Sequence, residues 1–156
     1  LQEPENYAVR ANIMWTATLA LNGLIGAGVP NDWATHMLGH ELTALHGLDH
    51  AQTLAVALPA MLQVRREEKR EKLLQYAERV WGLRDGDTDS RIDQAIAKTR
   101  QFFESMQVPT RLSGYGIAKD AIPALLAQLE RHGMVKLGEH QNVDLDRSKQ
   151  VFELAA

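Results

Sequence analysis

The chain has 156 residues, a mass of 17.4 kDa, 45% hydrophobic residues and no cysteine. This length and hydrophobic content suffice for one globular domain and argue against disorder. The 17 Lys and Arg against 20 Asp and Glu give a net charge of −3 with no basic stripe, so we expect no nucleic-acid partner. Without Cys, thiolate ligands are excluded, a cytoplasmic location is predicted, and only histidines and carboxylates remain as strong metal ligands.

The chain begins with LQEPENY, which has neither an initiator Met nor the basic segment of a signal peptide. We therefore expect that the sequence begins at a point where a longer chain was cut, so that it is either a mature product or a piece of a longer protein. Residues 6–27 predict a helix that is apolar on nearly every side and hence central in the fold. The uncharged span 13–30 contains Asn22 and three glycines, which favours a buried helix over a membrane-spanning one, so we expect no membrane partner.

The rest of the chain shows apolar residues at spacings of three and four, which are typical of helices, and almost no alternating runs. Asp49 is a predicted N-cap, and Gly133 a predicted helix end. Helices are predicted to begin near residue 33 and to cover residues 50–64, 65–83, 91–106, 119–133 and 145–156. The predicted fold class is all-α.

Four of the six histidines lie between positions 36 and 50. His36 and His40 are one helical turn apart and project from the same face. On one continuous helix, His36 and His50 would be about 21 Å apart, which a single metal ion does not bridge. We therefore expect the helix to break soon after His40, so that a loop returns His50 to His36. Pairing of His46 with His50 is the less favoured alternative because Gly47 interrupts that helix, and a role in packing alone stays open.

Other catalytic motifs are absent from the sequence. HELTA, at residues 40–44, lacks the second histidine of the H-E-x-x-H metalloprotease motif, and no G-x-S-x-G serine motif occurs. Two imidazoles are too few for a catalytic zinc ion, which usually takes three protein ligands. Glu41 or Asp49 could add a carboxylate; otherwise the remaining ligands lie outside this sequence.

The spacing of His36, His40 and His50, together with HAQTLAVALPAML, MQVPTRLSGYGI and LDRSKQVFELAA, resembles the iron-containing (metal-dependent) alcohol dehydrogenases. The resemblance covers the whole chain but only the C-terminal helical half of that family. It implies that residues 1–156 form an all-helical metal-binding C-terminal domain, a multi-helix orthogonal bundle of the dehydroquinate synthase-like fold. It also implies that the family's N-terminal α/β dinucleotide-binding domain is absent from this chain.

The resemblance further implies roles for the three histidines. His36 and His50 would be ligands of a divalent ion, iron or zinc, and His40 would lie beside the nicotinamide and the substrate as a catalytic and cofactor-contacting residue. The family's D-x-x-x-H motif does not occur upstream of His36, and its Gly-Gly-Gly-Ser loop is also absent. NADP(H) would therefore be bound mainly by the missing N-terminal domain. The implied reaction reduces aldehydes to primary alcohols, and we expect the isolated chain to be inactive.

Two partners follow from this reading: a small-molecule aldehyde or alcohol, and the N-terminal domain of the same protein. Loss of that domain would expose His36, His40 and Leu45, so we expect the chain to form homo-oligomers. A hypothesis from another class is a small non-enzymatic helical module that binds metal or mediates oligomerisation.

Overall fold

The computed structural model describes residues 2–156 and confirms the all-α prediction. Within those residues the backbone pairing outside helices and turns is one isolated bridge between Leu137 and Val143. The chain forms two compact units, of which the first ends at Asn31 and the second comprises Asp32–Ala156. The α-helices of the described residues are α1 (Tyr7–Leu21), α2 (Ala34–His46), α3 (His50–Val64), α4 (Arg70–Trp81), α5 (Thr88–Ser105), α6 (Ile122–Arg131) and α7 (Leu145–Ala155).

The first unit consists of α1 and a short 3₁₀ turn, Leu24–Gly26. Helix α1 starts after Asn6, whose side chain accepts a hydrogen bond from the Val9 backbone, and ends at Leu21 because Gly23 takes a φ of 88°. The prediction of one helix to residue 27 was therefore too long. No residue of α1 is buried, so the prediction of a buried central helix was wrong: apolar residues on all sides select no single face, and nothing in the unit encloses them.

The second unit has its main core where α2, α3, α6 and α7 pack together. Leu38, Val56, Leu129 and Phe152 represent these four helices and are all fully buried. Helix α3 also packs on α5, which holds a smaller core with α4 around Leu73, Ile92 and Ile96. None of the helices in the described part of the chain is long and apolar enough to cross a membrane.

The helix boundaries follow local capping. Helix α3 matches its predicted range, and the side chains of Asp87 and Asp144 accept the N-cap hydrogen bonds of α5 and α7. Residues 65–69 were predicted to be helical, but they form a turn, and α4 begins only at Arg70. The start of α6 is likewise later than predicted, because residues Lys119–Ala121 form a 3₁₀ turn.

Residue Arg65 in the α3–α4 turn is the centre of a buried ion network. Arg65 is 1% exposed, and its guanidinium donates to Asp32 at 2.5 Å and to Glu68 and Glu139 at 3.1 Å. Lys69 also bonds Asp32 and Glu139, at 2.6 and 2.9 Å. We call the following residues the Arg65 network: the cations Arg65, Lys69 and Arg147, and the carboxylates Asp32, Glu68 and Glu139.

The Arg65 network shifts the pKa values of Arg65 and Glu139. Burial opposes the charge of Arg65, but its hydrogen bonds to Glu139 and Glu68 and the charge of Asp32 outweigh burial, so its pKa is raised. Burial also opposes ionisation of Glu139, but hydrogen bonds from Lys69, a backbone N–H and Arg65 lower its pKa from 4.5 to about 2. Both partners are therefore held in their charged forms.

Candidate metal and substrate site

Helix α2 carries His36 in its first turn and His40 one turn later. The residue before the helix, Trp33, packs its indole edge-to-face with the His36 ring, with ring centroids 4.8 Å apart and ring planes at 69°. Asp32 accepts a hydrogen bond from the Ala34 backbone at 2.9 Å, which supplies the first turn of α2 with an acceptor. The start of α2 thus fixes the backbone and one side of His36.

The chain reverses direction later than the sequence predicted. Helix α2 does not break soon after His40 but continues to His46 and ends at Gly47, which has a φ of 69°. The Thr43 hydroxyl donates to the Leu48 carbonyl at 2.9 Å, which holds the short link against the helix. Asp49 is the N-cap residue of α3, as predicted, and its backbone N–H donates to the Gln52 side chain at 2.8 Å.

A glycine lets α3 pass close to α2. A Cβ atom at Gly39 would lie 2.7 Å from the Thr53 hydroxyl, nearer than real Cβ atoms approach. Thr53 is fully buried and donates to the His50 carbonyl at 2.8 Å. This close approach brings His50 beside His36, and their ring centroids lie 5.1 Å apart with the ring planes tilted by 46°. We call these two residues the histidine pair.

The histidine pair is electrostatically suited to hold a cation. Burial lowers the pKa of His36, and repulsion from protonated His50 and His40 lowers it further. A His36 ring with a lowered pKa is neutral at pH 7, and only the neutral ring offers a lone pair to a metal. The donor set therefore fits two of the ligands of a divalent ion.

The predicted catalytic residue, His40, is exposed and faces the same surface depression as His50. The depression has a volume of about 510 Å³ and is shallow and open. Its remaining lining comes from the end of α2 and the link, namely Thr43, Ala44, Gly47, Leu48 and Asp49. The structure thus places His36, His40 and His50 in one region, while their roles as ligands and catalyst stay predictions.

Other candidate ligands lie elsewhere. Glu41 is buried, and its Oε1 lies 2.8 Å from Nδ1 of His132, so it does not serve the histidine pair. Asp32 and His36 have the spacing of a D-x-x-x-H motif, but the Asp32 carboxylate is held by the Arg65 network. Among the described residues 2–156, the rings of His46 and His50 make no aromatic contact with each other, and His50 lies beside His36 instead. Across that same range, no three His, Asp or Glu side chains cluster so that they could hold a metal.

Comparison with known proteins supports the same assignment. The model of the Fe-containing alcohol dehydrogenase family, C-terminal part, matches residues 1–155. The chain belongs to this family. The resemblance noted in the sequence and the all-helical fold are thereby confirmed, and the histidine pair lies in the C-terminal region of the family's proteins.

Two relatives of the Fe-containing alcohol dehydrogenase family are informative. The chain is 66% identical over 155 residues to the NADPH-dependent aldehyde reductase YqhD of Escherichia coli K12, covering 99% of this chain and 40% of that protein. A crystal structure of that protein superposes with a TM-score of 0.97 at 65% identity, over 100% of this chain and 40% of that one. The NADH-dependent butanol dehydrogenase A of Thermotoga maritima superposes with a TM-score of 0.90 at 25% identity, over 98% of this chain and 40% of that one. This chain thus spans about 40% of the length of these relatives.

Sequence reasoning identified the three histidines but not the residues that place them. Trp33, Gly39 and Thr53 set the position of the histidine pair: Trp33 packs on the His36 ring, and the close approach of Gly39 and Thr53 joins α2 to α3. The available signal was Gly39 itself, because a glycine inside an otherwise regular helix indicates close approach of another backbone or side chain.

Proposed function

We propose that this chain is the helical C-terminal part of an NADP(H)-dependent alcohol dehydrogenase that reduces aldehydes to primary alcohols. The observation that carries the proposal is the histidine pair, two imidazoles 14 positions apart in sequence with ring centroids 5.1 Å apart. The 66% identity to an NADPH-dependent aldehyde reductase supports both the reaction and the choice of NADP(H). The butanol dehydrogenase of Thermotoga maritima, an NADH-dependent relative, is only 25% identical.

In this proposal His36 and His50 hold a divalent ion through their imidazole nitrogens, and the other ligands come from outside residues 1–156. Imidazole suits iron and zinc alike, so either metal is compatible with the pair. When bound, the ion supplies Lewis-acid polarisation of the aldehyde oxygen, and NADPH supplies the hydride. The contact between the Trp33 and His36 rings and the hydrogen bond from Thr53 to the His50 carbonyl fix the positions of both ligand residues.

His40 acts on the substrate side in this proposal. It lies one turn from His36, is exposed, and faces the depression that His50 also lines. An imidazole in that position can orient the aldehyde and deliver a proton to the alkoxide oxygen that forms as the carbonyl is reduced. Its role is therefore in proton transfer and nicotinamide contact rather than in metal binding.

We propose that the principal partner is an α/β dinucleotide-binding part of the same protein, which contributes the NADP(H) site and the missing ligands. The relatives' greater length supports this, as do the unburied apolar side chains of α1. Small-molecule aldehydes and alcohols are the substrates, and the cytoplasm is the proposed location. Without the partner, we expect the isolated chain to be inactive and to self-associate, which size-exclusion chromatography with light scattering would measure.

A chimera tests the proposed function. This chain replaces the matching C-terminal 40% of E. coli YqhD, and NADPH oxidation with a short-chain aldehyde is followed in the purified product. We expect turnover, and we expect loss of both bound metal and turnover in His36→Ala and His50→Ala. His46→Ala is the matched control, since His46 is an exposed histidine of the same helix. A chimera that folds but does not turn over, or a His50→Ala variant that keeps activity without metal, would refute the proposal.

His40→Ala separates the catalytic histidine from the two ligands. We expect this variant to keep its metal, measured by elemental analysis, and to lose at least about tenfold in kcat, since proton transfer by a positioned side chain contributes about 10²–10⁴-fold. Loss of the metal along with activity would instead make His40 a ligand.

A further inference from the structure

A small pocket lies between α3 and α4, away from the three histidines of the proposed active site. Helix α4 packs mainly on α5, so its first turns stand apart from the end of α3 and leave a space of about 240 Å³. Leu58 and Leu62 line it from α3, Lys69 from the turn before α4, and Lys72, Leu73 and Tyr76 from α4.

The walls of this α3–α4 pocket are apolar. Leu58, Leu62 and Leu73 present only aliphatic groups, and the Tyr76 hydroxyl is engaged with the Thr99 hydroxyl of α5 at 2.6 Å. A ligand inside the pocket would therefore meet hydrocarbon and an aromatic ring but no unpaired polar atom of Tyr76. The volume is below the roughly 300–1,000 Å³ of pockets that enclose drug-sized molecules, so the pocket suits a smaller, mainly aliphatic one.

The rim of the pocket carries an uncompensated positive charge. The Lys69 ammonium is neutralised by Asp32 and Glu139, at 2.6 and 2.9 Å. The Lys72 ammonium has only the uncharged Gln75 side chain as a partner, at 3.2 Å, and among residues 2–156 no carboxylate lies within 4.0 Å of it. One cation thus stands beside an apolar cavity with no anion to match it.

We propose that the α3–α4 pocket binds a medium-chain alkyl carboxylate. The alkyl chain occupies the space between Leu58, Leu62 and Leu73, and the carboxylate accepts a charge-assisted hydrogen bond from Lys72 in place of Gln75. Burial of the alkyl chain supplies most of the affinity, and Lys72 distinguishes the carboxylate from an alcohol or aldehyde of the same length. This site is separate from the proposed substrate site, and neither proposal depends on the other.

The test is a titration of the 156-residue chain with octanoate, octan-1-ol and hexanoate, followed by NMR of the leucine methyl groups. We expect octanoate to bind about fivefold more tightly than octan-1-ol, the effect of one exposed ion pair. Hexanoate should bind about fifteenfold more weakly than octanoate, because two fewer methylenes are buried. The same titration on the YqhD chimera provides a second sample in which the chain has its partner domain.

Three variants locate the binding. Lys72→Met should reduce octanoate affinity to that of octan-1-ol and leave octan-1-ol unchanged, while Leu58→Trp should fill the pocket and abolish both. The matched control is Lys136→Met, because Lys136 is exposed and, within the described residues, has no carboxylate partner. Equal affinity for octanoate and octan-1-ol, an unchanged preference in Lys72→Met, or no binding in either sample would overturn the proposal.

Discussion

The Arg65 network and the histidine pair both join residues that are distant in sequence, yet they differ in how completely their polar groups are matched. The network holds three cations against three carboxylates around a buried guanidinium. The histidine pair consists of two imidazoles, one half-buried on α2 and one exposed on α3. Residues 2–156 contain no third side chain placed to bind a metal ion together with them. A matched set of charges needs no further partner and is costly to disrupt, whereas an unmatched set of ligands is available to bind a metal ion.

The largest effect that would sharpen this comparison is expected from Arg65→Met. Removal of the guanidinium leaves Asp32, Glu68 and Glu139 with fewer cations in a buried setting, and breaking such a pair costs about 3–5 kcal/mol in unfolding free energy. Urea unfolding measures the loss. Arg65→Lys is the control, since it keeps the charge but not the forked geometry, and should lose less. A loss below about 1 kcal/mol in Arg65→Met would show that the network is not a major source of stability.

The next effect is the acid sensitivity of the network. Because the folded pKa of Glu139 is about 2 against an ordinary 4.5, its stabilising contribution is complete above pH 4.5 and is lost as the pH falls toward 2. A shift of this size corresponds to on the order of 3 kcal/mol. The unfolding free energy, measured from pH 7 to pH 2, should fall over that interval and fall less steeply in Glu139→Gln. Parallel curves for the two proteins would contradict this.

A smaller effect is expected at the contact that forms the histidine pair. In Gly39→Ala the added methyl group meets the Thr53 hydroxyl, and the strain should lower the unfolding free energy by about 1–3 kcal/mol despite the better helix propensity of Ala. The displacement of α3 should also weaken metal binding in the chimera. The double variant Gly39→Ala, Thr53→Ala removes the clashing hydroxyl and should recover part of both losses. If the double variant is no better than Gly39→Ala, the close contact is not the cause.

The smallest change in stability is expected for His36→Ala. The ring is half-buried with a lowered pKa, and truncation leaves no buried charge, so the unfolding free energy should change by less than about 1 kcal/mol. Metal binding in the chimera should nevertheless be lost. A large loss of stability in metal-free His36→Ala would show that the histidine pair, like the Arg65 network, stabilises the fold.

Local signals in the sequence were sufficient for much of the fold. Asp49 and the apolar periodicity predicted α3 from residue 50 to residue 64, and the predicted start of α7 at residue 145 was also correct. Within α5, Ile92, Ala95, Ile96 and Thr99 recur at helical spacing and are buried, whereas Phe102 is 48% exposed. Caps and periodicity act over a few residues, so the sequence reveals them directly.

The errors arose where distant contacts decide the conformation. Residues 65–69 looked like the start of an amphipathic helix, but Arg65 and Lys69 bond to Glu139, at least 70 positions away along the chain, and the segment turns. The prediction that His50 lies beside His36 was correct, but the predicted helix break soon after His40 was wrong. The link 47–49 and the Gly39 contact bring the two rings together without shortening α2. The spacing of the histidines along the sequence does not reveal either of these features.

The length of the α2–α3 link also limits how this protein can be re-engineered. Only residues 47–49 separate the two helices, and an inserted residue would lengthen a link that the Thr43 hydroxyl holds against α2 through the Leu48 carbonyl. Such a change would carry the His50 ring out of register with its neighbour even if every side chain were preserved. The loop 82–87 between α4 and α5 is largely exposed and does not position the histidine pair, so it is the better site for inserting tags or reporter peptides.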